Sequence, residues 1–175
     1  LGQMQLDDDF QENMVVSTVE IFNAIITKLL PTPAKVHYTF NLRDLAKVFG
    51  GVLMCDHKGL ETPSDVVRLW VHECTRVFRD RLINTEDETW YDSMVNGKVT
   101  NVFKEDVASI YRTTPMLFGD FMDVANDSKP YIELPELKKV KAVMDEALSD
   151  YNQANTGSQM NLVLFGDAMG HAARI

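Results

Sequence analysis

Apolar residues recur at helical spacing between residues 42 and 53, and this repeat limits the fold of the chain more than any other stretch. Spacings of three and four residues place one apolar face on an amphipathic α-helix, which we expect to face the core. That face consists of Leu42, Leu45, Val48, Phe49, Val52 and Leu53. Asn41 is a natural N-cap, because its side-chain oxygen can accept from the free amides of the first turn. The adjacent Gly50 and Gly51 weaken the helix, so we expect close packing against a neighbouring element there.

Arg43 lies in the first turn of this helix and outside its apolar face. A cation there is repelled by the positive end of the helix macrodipole, so the helix itself gives it no electrostatic stabilisation. One interpretation is a solvated arginine, and the other is an arginine that meets an anion outside the helix. Both predict an exposed guanidinium, whereas a structural arginine would pair with carboxylates of the chain itself.

The remaining periodicity predicts helices along most of the chain. One helix begins after Thr62, with Pro63 at its first position, and continues to about Ile83. Its other face is polar and carries Arg68, His72, Arg76, Arg79 and Arg81, offset by Glu73 and Asp80. We therefore predict an all-α fold that divides near residue 112.

Three further segments complete this prediction. A capping box from Thr85 to Glu88 opens a short helix that Gly97 breaks, and another short helix follows over residues 102–111. We expect an extended piece over residues 117–122. A longer helix then runs from Pro135 to about Tyr151.

Charge and motif content exclude several classes of function. A net charge of −9 leaves no basic stripe to neutralise nucleic-acid phosphates. No apolar run reaches the ~20 residues that a membrane-spanning helix needs. Cys55 and Cys74 form no CxxC pair and are expected to be reduced, buried thiols. No metal site is predicted, since the chain's histidines show no ligand spacing; they are His37, His57, His72 and His171.

Four ordered motifs resemble one known family. The chain is similar to a dynein heavy chain of the axonemal type, over roughly residues 22–175, from the lid of its third AAA+ module to the start of the fourth. The matching stretches are residues 37–45 with 47–54 (HYTFNLRDL and KVFGGVLM), residues 68–74 with 76–82 (RLWVHEC and RVFRDRL), residues 117–121 (LFGDF), and residues 160–165 (MNLVLF) with Asp167, Ala168 and His171.

The resemblance implies an architecture. Residues 1–112 would be the AAA+ small helical subdomain, the lid of the third module, and residues 113–157 a connector with helices. Residues 158–175 would be the truncated N-terminal segment of the fourth module. We therefore expect the sequence to be part of a longer polypeptide.

The resemblance also implies binding residues. Arg43 would be the lid arginine, called sensor 2, that reaches the γ-phosphate of ATP, with Asn41 and Leu42 near the nucleotide. The base pocket of the fourth module would be lined by Leu162, Val163, Leu164 and Phe165. For the isolated chain we expect these four to form an ordinary core stripe instead. We also expect the last helix to fold back on the preceding helix or to pack against a second copy of the chain.

On this resemblance the chain is a non-catalytic, regulatory part of an ATP-driven minus-end microtubule motor. The parent would use ATP or ADP with Mg²⁺, whereas the isolated chain has no GxxxxGK[ST] loop and is expected to bind no cofactor and to lack ATPase activity. Expected partners are the rest of the same AAA+ ring and, through the parent, dynein complex subunits and microtubules. The expected location is the cytoskeleton of the cytoplasm, in the axoneme of a cilium or flagellum. The alternative is a stand-alone helical protein–protein interaction domain.

Overall fold

The computed structural model describes residues 7–55, 60–122, 129–134 and 136–174. The chain divides into two compact units, unit 1 (Leu1–Thr114) and unit 2 (Pro115–Ile175). The predicted all-α class is confirmed, with a single two-residue strand pair added in the described ranges. The predictions for His57, Pro135 and Ile175 lie outside the described residues.

Unit 1 is a group of helices with one buried central helix. The elements are α1 (Asp8–Lys28), α2 (Leu42–Met54), α3 (Pro63–Val77), a 3₁₀ turn (Arg79–Arg81), α4 (Thr85–Asn101) and α5 (Val107–Ile110). The start of α3 is as predicted, because the Thr62 hydroxyl and the Asp65 carboxylate cap each other's backbone amides. α3 is buried along most of its length and packs against α2 and α5. It therefore organises the unit.

The core of unit 1 has Trp70 at its centre. Trp70 is fully buried, its indole N–H donates to the Thr18 hydroxyl at 2.8 Å, and its ring lies 5.0 Å from that of Phe103. Phe103 also contacts Phe10, at 5.4 Å between ring centroids. Two helices, α1 and α3, and the turn after α4 thus meet at one aromatic cluster.

The predicted apolar face of α2 is wrong at both ends. Leu42 is 71% exposed and Leu53 is 84% exposed, while the buried positions are Asp44, Val48 and Gly51. The reason is steric: a side chain at Gly51 would overlap the Glu73 carboxylate of α3, so the helix turns this glycine inward. Close packing at Gly51 is therefore confirmed, whereas Gly50 has nothing within 4 Å of the position of a Cβ.

The polar residues of α3 do not form a surface face. Arg68, His72 and Glu73 are fully or almost fully buried. Arg68 donates from Nη1 to the carbonyl oxygen of Ile110 and from Nη2 to the Thr113 hydroxyl at 2.8 Å. Because the last carbonyls of a helix lack partners within it, a buried guanidinium at the end of α5 can satisfy them.

Three predictions for the following helices are wrong. The N-cap of α4 is Asn84 rather than Thr85, since the Asn84 side chain accepts from the backbone N–H of Asp87. α4 also continues through Gly97 to Asn101. Val95 and Val99 are buried on either side of this glycine, and their burial outweighs its cost of roughly 1 kcal/mol. The helix predicted over residues 102–111 shortens to α5.

Unit 2 is a short strand pair with two helices. Its elements are β1 (Phe118–Gly119), β2 (Ile132–Glu133), α6 (Leu137–Ala154) and α7 (Gly166–Arg174), and the strands pair antiparallel. The extended piece predicted after Leu117 is thus present as β1. A small core of Leu117, Leu134 and Val140 contacts Ala173 of α7. The last helix therefore folds back on α6 and β1, which is one of the two arrangements predicted for it.

Both cysteines are buried and unpaired with each other, as predicted. The pKa of the Cys74 thiol lies well above its usual value. Burial is the larger cause, and the neighbouring Glu73 carboxylate is the smaller one. Across the described residues, no helix combines the length and apolar character that crossing a bilayer requires.

Candidate functional site

The start of α2 has a complete capping box. The Asn41 side chain accepts from the backbone N–H of Arg43 at 2.8 Å, and the backbone N–H of Asn41 donates to the Asp44 carboxylate at 3.0 Å. Both bonds satisfy amides that have no partner within the helix. The predicted N-cap at Asn41 is therefore confirmed, and it fixes the backbone on both sides of Arg43.

The Arg43 side chain is exposed, as predicted. Its guanidinium makes no hydrogen bond or ion pair with any residue in the ranges that the structure describes. Leu42, beside it, is 71% exposed. The first turn of α2 thus presents a cation and an apolar side chain on a capped helix. The cation can meet an anion outside the unit.

A network of long-range contacts supports the loop before α2. Tyr38 is buried and donates its hydroxyl hydrogen to the Asp87 carboxylate at 2.9 Å, while its hydroxyl oxygen accepts from the backbone N–H of Ile83 at 3.1 Å. Lys35 pairs with the same carboxylate at 2.5 Å. One carboxylate at the start of α4 therefore anchors this loop.

Arg81 makes the second set of contacts to this region. Its Nη1 lies 3.0 Å from the Asp44 carboxylate. Burial by itself would raise the pKa of Asp44, but hydrogen bonds from the Asn41 amide and Arg81 outweigh this effect and hold it below its usual value. Asp44 is consequently a charged residue at the pH of the cell, buried between α2 and the 3₁₀ turn.

A polar cleft of about 320 Å³ adjoins these residues. It is lined by Thr39, Asn41, Asp44, Lys47, Arg76, Val77 and Arg81. The two arginines already pair with carboxylates of the unit, since Arg81 contacts Asp44 and Arg76 contacts Glu73 at 2.6 Å. Arg43 does not line this cleft. The cations of the cleft therefore serve the fold, and Arg43 is directed elsewhere.

The Asp87 anchor predicts a pH dependence of stability. Burial tends to raise the pKa of Asp87, but hydrogen bonds from Lys35 and Tyr38 outweigh it, so the folded pKa lies below the usual 3.8. Because the pKa of Asp87 is lower in the folded state than in the unfolded state, the charged carboxylate stabilises the fold. This stabilisation is complete above the pKa of the unfolded state and is lost as the pH falls through the pKa of the folded state. We expect Asp87→Asn to destabilise unit 1 most above about pH 5, and progressively less below the unfolded pKa.

Urea unfolding of both proteins across pH tests this expectation. Asp145→Asn is the matched control, because Asp145 is an exposed carboxylate of unit 2 that pairs only with Lys141 among the described residues. A wild-type advantage over Asp87→Asn that stays constant down to pH 3, or grows in acid, would contradict the anchoring role.

The second group of predicted site residues lies in unit 2, before α7. Leu162, Val163 and Phe165 are 58%, 81% and 61% exposed, and Leu164 is half-buried. The expectation that they form a core stripe in this chain is therefore wrong. α7 instead packs on unit 2 through Met169, Gly170 and Ala173, so the preceding apolar side chains stay uncovered.

Sequence patterns did not identify three supporting residues of the site, Tyr38, Arg81 and Asp87. Their contacts join positions that lie far apart in the sequence, which periodicity cannot detect. No group of three or more His, Cys, Asp or Glu side chains in the described parts of the chain is arranged to hold a metal ion.

Comparisons with known proteins give a match to one family model and to several longer proteins. The model of a family described as an AAA+ lid domain matches residues 14–113. The chain is 45% identical to mouse dynein axonemal heavy chain 1 over 168 residues, which is 96% of this chain and 4% of that protein. It is 40% identical to human dynein axonemal heavy chain 10 over 160 residues, 90% of this chain and 4% of that protein. The chain thus spans about 4% of the length of these relatives.

Proposed function

The chain belongs to the AAA+ lid domain family and is similar to axonemal dynein heavy chains, and from this premise we propose that it contains the lid of a third AAA+ module in such a heavy chain. In this role it is a regulatory part of an ATP-driven microtubule motor. The lid carries no catalysis itself. It couples the nucleotide state of its own module to the next one by moving as a rigid body.

The observation that carries the proposal is the position of Arg43. The guanidinium is exposed on a helix whose first turn is fixed by the Asn41–Asp44 capping box. Core packing does not require this arginine, and the described residues give it no carboxylate partner. An arginine held in this way fits an anion that belongs to another part of the protein.

ATP with Mg²⁺ is the anion that the family implies, and the residues present fit part of its site. An arginine offers a planar fork of N–H donors that matches phosphate oxygens, often in a bidentate arrangement. Asn41 and Leu42 would lie beside the nucleotide. The sequence contains no phosphate-binding loop, so the other contacts to ATP and the hydrolytic chemistry come from the large subdomain of the module.

The exposed segment before α7 has a separate role in the proposal. Leu162, Val163, Leu164 and Phe165 would line the base pocket of the fourth module. Support comes from their exposure, since large apolar side chains that a unit leaves uncovered mark surfaces that another element covers. Adenine presents a flat, largely apolar face that suits such a surface.

The partners and the location follow from the same proposal. The direct partner of the lid is the rest of the AAA+ ring, and dynein complex subunits and microtubules interact through the parent. The motor would act in the axoneme of a cilium or flagellum. A net charge of −9 disfavours direct contact of this region with the acidic surface of tubulin.

Substitution of Arg43 in the complete heavy chain tests the proposal. We expect Arg43→Ala to weaken ATP binding at the third module by roughly 10- to 100-fold, because a hydrogen bond to a charged group contributes about 1.5–3 kcal/mol. Stability should change by less than about 0.5 kcal/mol, as for other surface substitutions. The measurement is titration with a fluorescent ATP analogue, with the phosphate-binding loops of the other modules inactivated.

Lys138→Ala is the matched control, since Lys138 is an exposed cation in the first turn of a different helix, α6. It should leave ATP affinity unchanged. Equal affinities for wild type and Arg43→Ala would refute the proposed contact and favour the stand-alone interaction domain.

A further inference from the structure

We propose that Arg81 is a positioning residue that sets the direction of Arg43 toward the nucleotide. This inference rests on the proposed function of Arg43 and adds a second residue to it. Arg81 lies on the 3₁₀ turn after α3 and is distant from Arg43 in the sequence. Its role follows from the groups that its guanidinium binds.

The guanidinium of Arg81 connects three points around the start of α2. Nη1 lies 3.0 Å from the Asp44 carboxylate. Nη2 donates to the carbonyl oxygens of His37 and Thr39, at 3.1 and 3.0 Å. One planar group thus holds both the loop before α2 and the first turn of the helix.

Two further contacts hold the same region to Arg81. The guanidinium carbon lies 4.4 Å from the centre of the Phe40 ring, a cation–π arrangement. The backbone carbonyl oxygen of Arg81 accepts from the His37 ring at 2.9 Å. Side chain and backbone of Arg81 therefore both fix residues 37–44, the segment that contains Arg43.

The link to Arg43 passes through the capping box. The Asp44 carboxylate accepts from the Arg81 guanidinium and from the backbone N–H of Asn41. Asn41 and Asp44 lie directly before and after residues 42 and 43. With Arg81 in place, Asp44 and Asn41 hold the first turn of α2 in one conformation. The Arg43 side chain then leaves the helix from a fixed backbone.

Lysine cannot replace Arg81 in this role. Guanidinium presents five N–H donors in a rigid plane, which suits acceptors on different sides, whereas the lysine ammonium is a compact charge on a flexible stem. Arg81→Lys therefore keeps the charge beside Asp44 and loses the bonds to the loop. It separates the geometry of the arginine from its charge.

The test is a double-substitution cycle in the complete heavy chain. We expect Arg81→Lys to weaken ATP binding at the third module by about fivefold or more, and to have no further effect when Arg43 is already alanine. A residue with a merely structural role would lower affinity equally in both backgrounds. An equal effect in the two backgrounds, or no effect in either, would overturn the inference.

Arg79→Lys is the matched control. Arg79 lies on the same turn, but its guanidinium binds Asp92 at 2.7 and 3.0 Å and has Glu88 as its second ion-pair partner. Its substitution should leave ATP affinity unchanged.

A second variant keeps the test informative if Arg81→Lys fails to fold. Asp44→Asn retains an oxygen for the Asn41 amide and removes the ion pair with Arg81. It should show the same dependence on Arg43. The proposed function fails if Arg43→Ala alone has no effect, whereas only the positioning role fails if Arg43→Ala weakens binding and the Arg81 and Asp44 variants do not.

Discussion

Trp70→Ala should lower the free energy of unfolding of unit 1 by about 3–5 kcal/mol, the usual cost of removing a buried tryptophan. The loss combines a large cavity with a broken polar contact. The Trp70 ring is fully buried against Phe103, and its indole N–H donates to Thr18. Because many domains have only 5–15 kcal/mol of stability, the variant should be partly unfolded at 37 °C. Urea unfolding followed by circular dichroism measures the change.

Two controls separate the causes. Trp70→Phe keeps most of the ring volume and loses the hydrogen bond, so it should cost clearly less than Trp70→Ala. Trp90→Ala removes the other tryptophan, which is half-buried beneath the Lys28 ammonium, and should also cost less. Similar losses for Trp70→Ala and Trp90→Ala would contradict a central role of Trp70 in the core.

Alanine at the two adjacent glycines of α2 should have opposite effects. Gly50→Ala is expected to stabilise unit 1 by roughly 0.5–1 kcal/mol, because the position is open and alanine favours the helix. Gly51→Ala is expected to destabilise it by about 2 kcal/mol or more, since overpacking a filled core costs more than helix propensity gains. A Cβ at Gly51 would overlap the carboxylate of Glu73.

The Glu73 side chain cannot move aside freely, because it is fully buried and its carboxylate pairs with Arg76 at 2.6 Å. A cycle with Glu73→Ala tests the cause: the penalty of Gly51→Ala should be smaller when the carboxylate is absent. The contrary result is that Gly51→Ala raises the free energy of unfolding as much as Gly50→Ala does. It would show that α2 and α3 do not pack closely at Gly51.

Local signals in the sequence predicted the start of α2 and of α3. Asn41 and Thr62 begin α2 and α3 as expected, because a cap depends on residues within one turn. The exposure of Arg43 was also predictable, since it lies off the apolar repeat. The rotation of α2 was not, because the contact between Gly51 and Glu73 decides it, and hydrophobic periodicity carries no information on which glycine faces a partner.

The supporting part of the site depends on long-range contacts. Arg68 was placed on a polar face by helical spacing, yet it is fully buried and binds the carbonyl of Ile110 on a helix that sequence patterns outlined poorly. Arg81 and Asp87 gave no local signal, since their partners at residues 35–44 are distant in the chain. Such contacts become visible only when the helices are assembled.

The decisive measurement for the proposed contact between Arg43 and the γ-phosphate is the structure of a complete heavy chain with an ATP analogue in its third module. We expect the Arg43 guanidinium to lie within about 2.7–2.9 Å of a γ-phosphate oxygen, the usual length of a charge-assisted bond. Asn41 and Leu42 would lie beside the nucleotide. An Arg43 side chain in solvent, or paired with a carboxylate while another lid residue holds the γ-phosphate, would contradict the account.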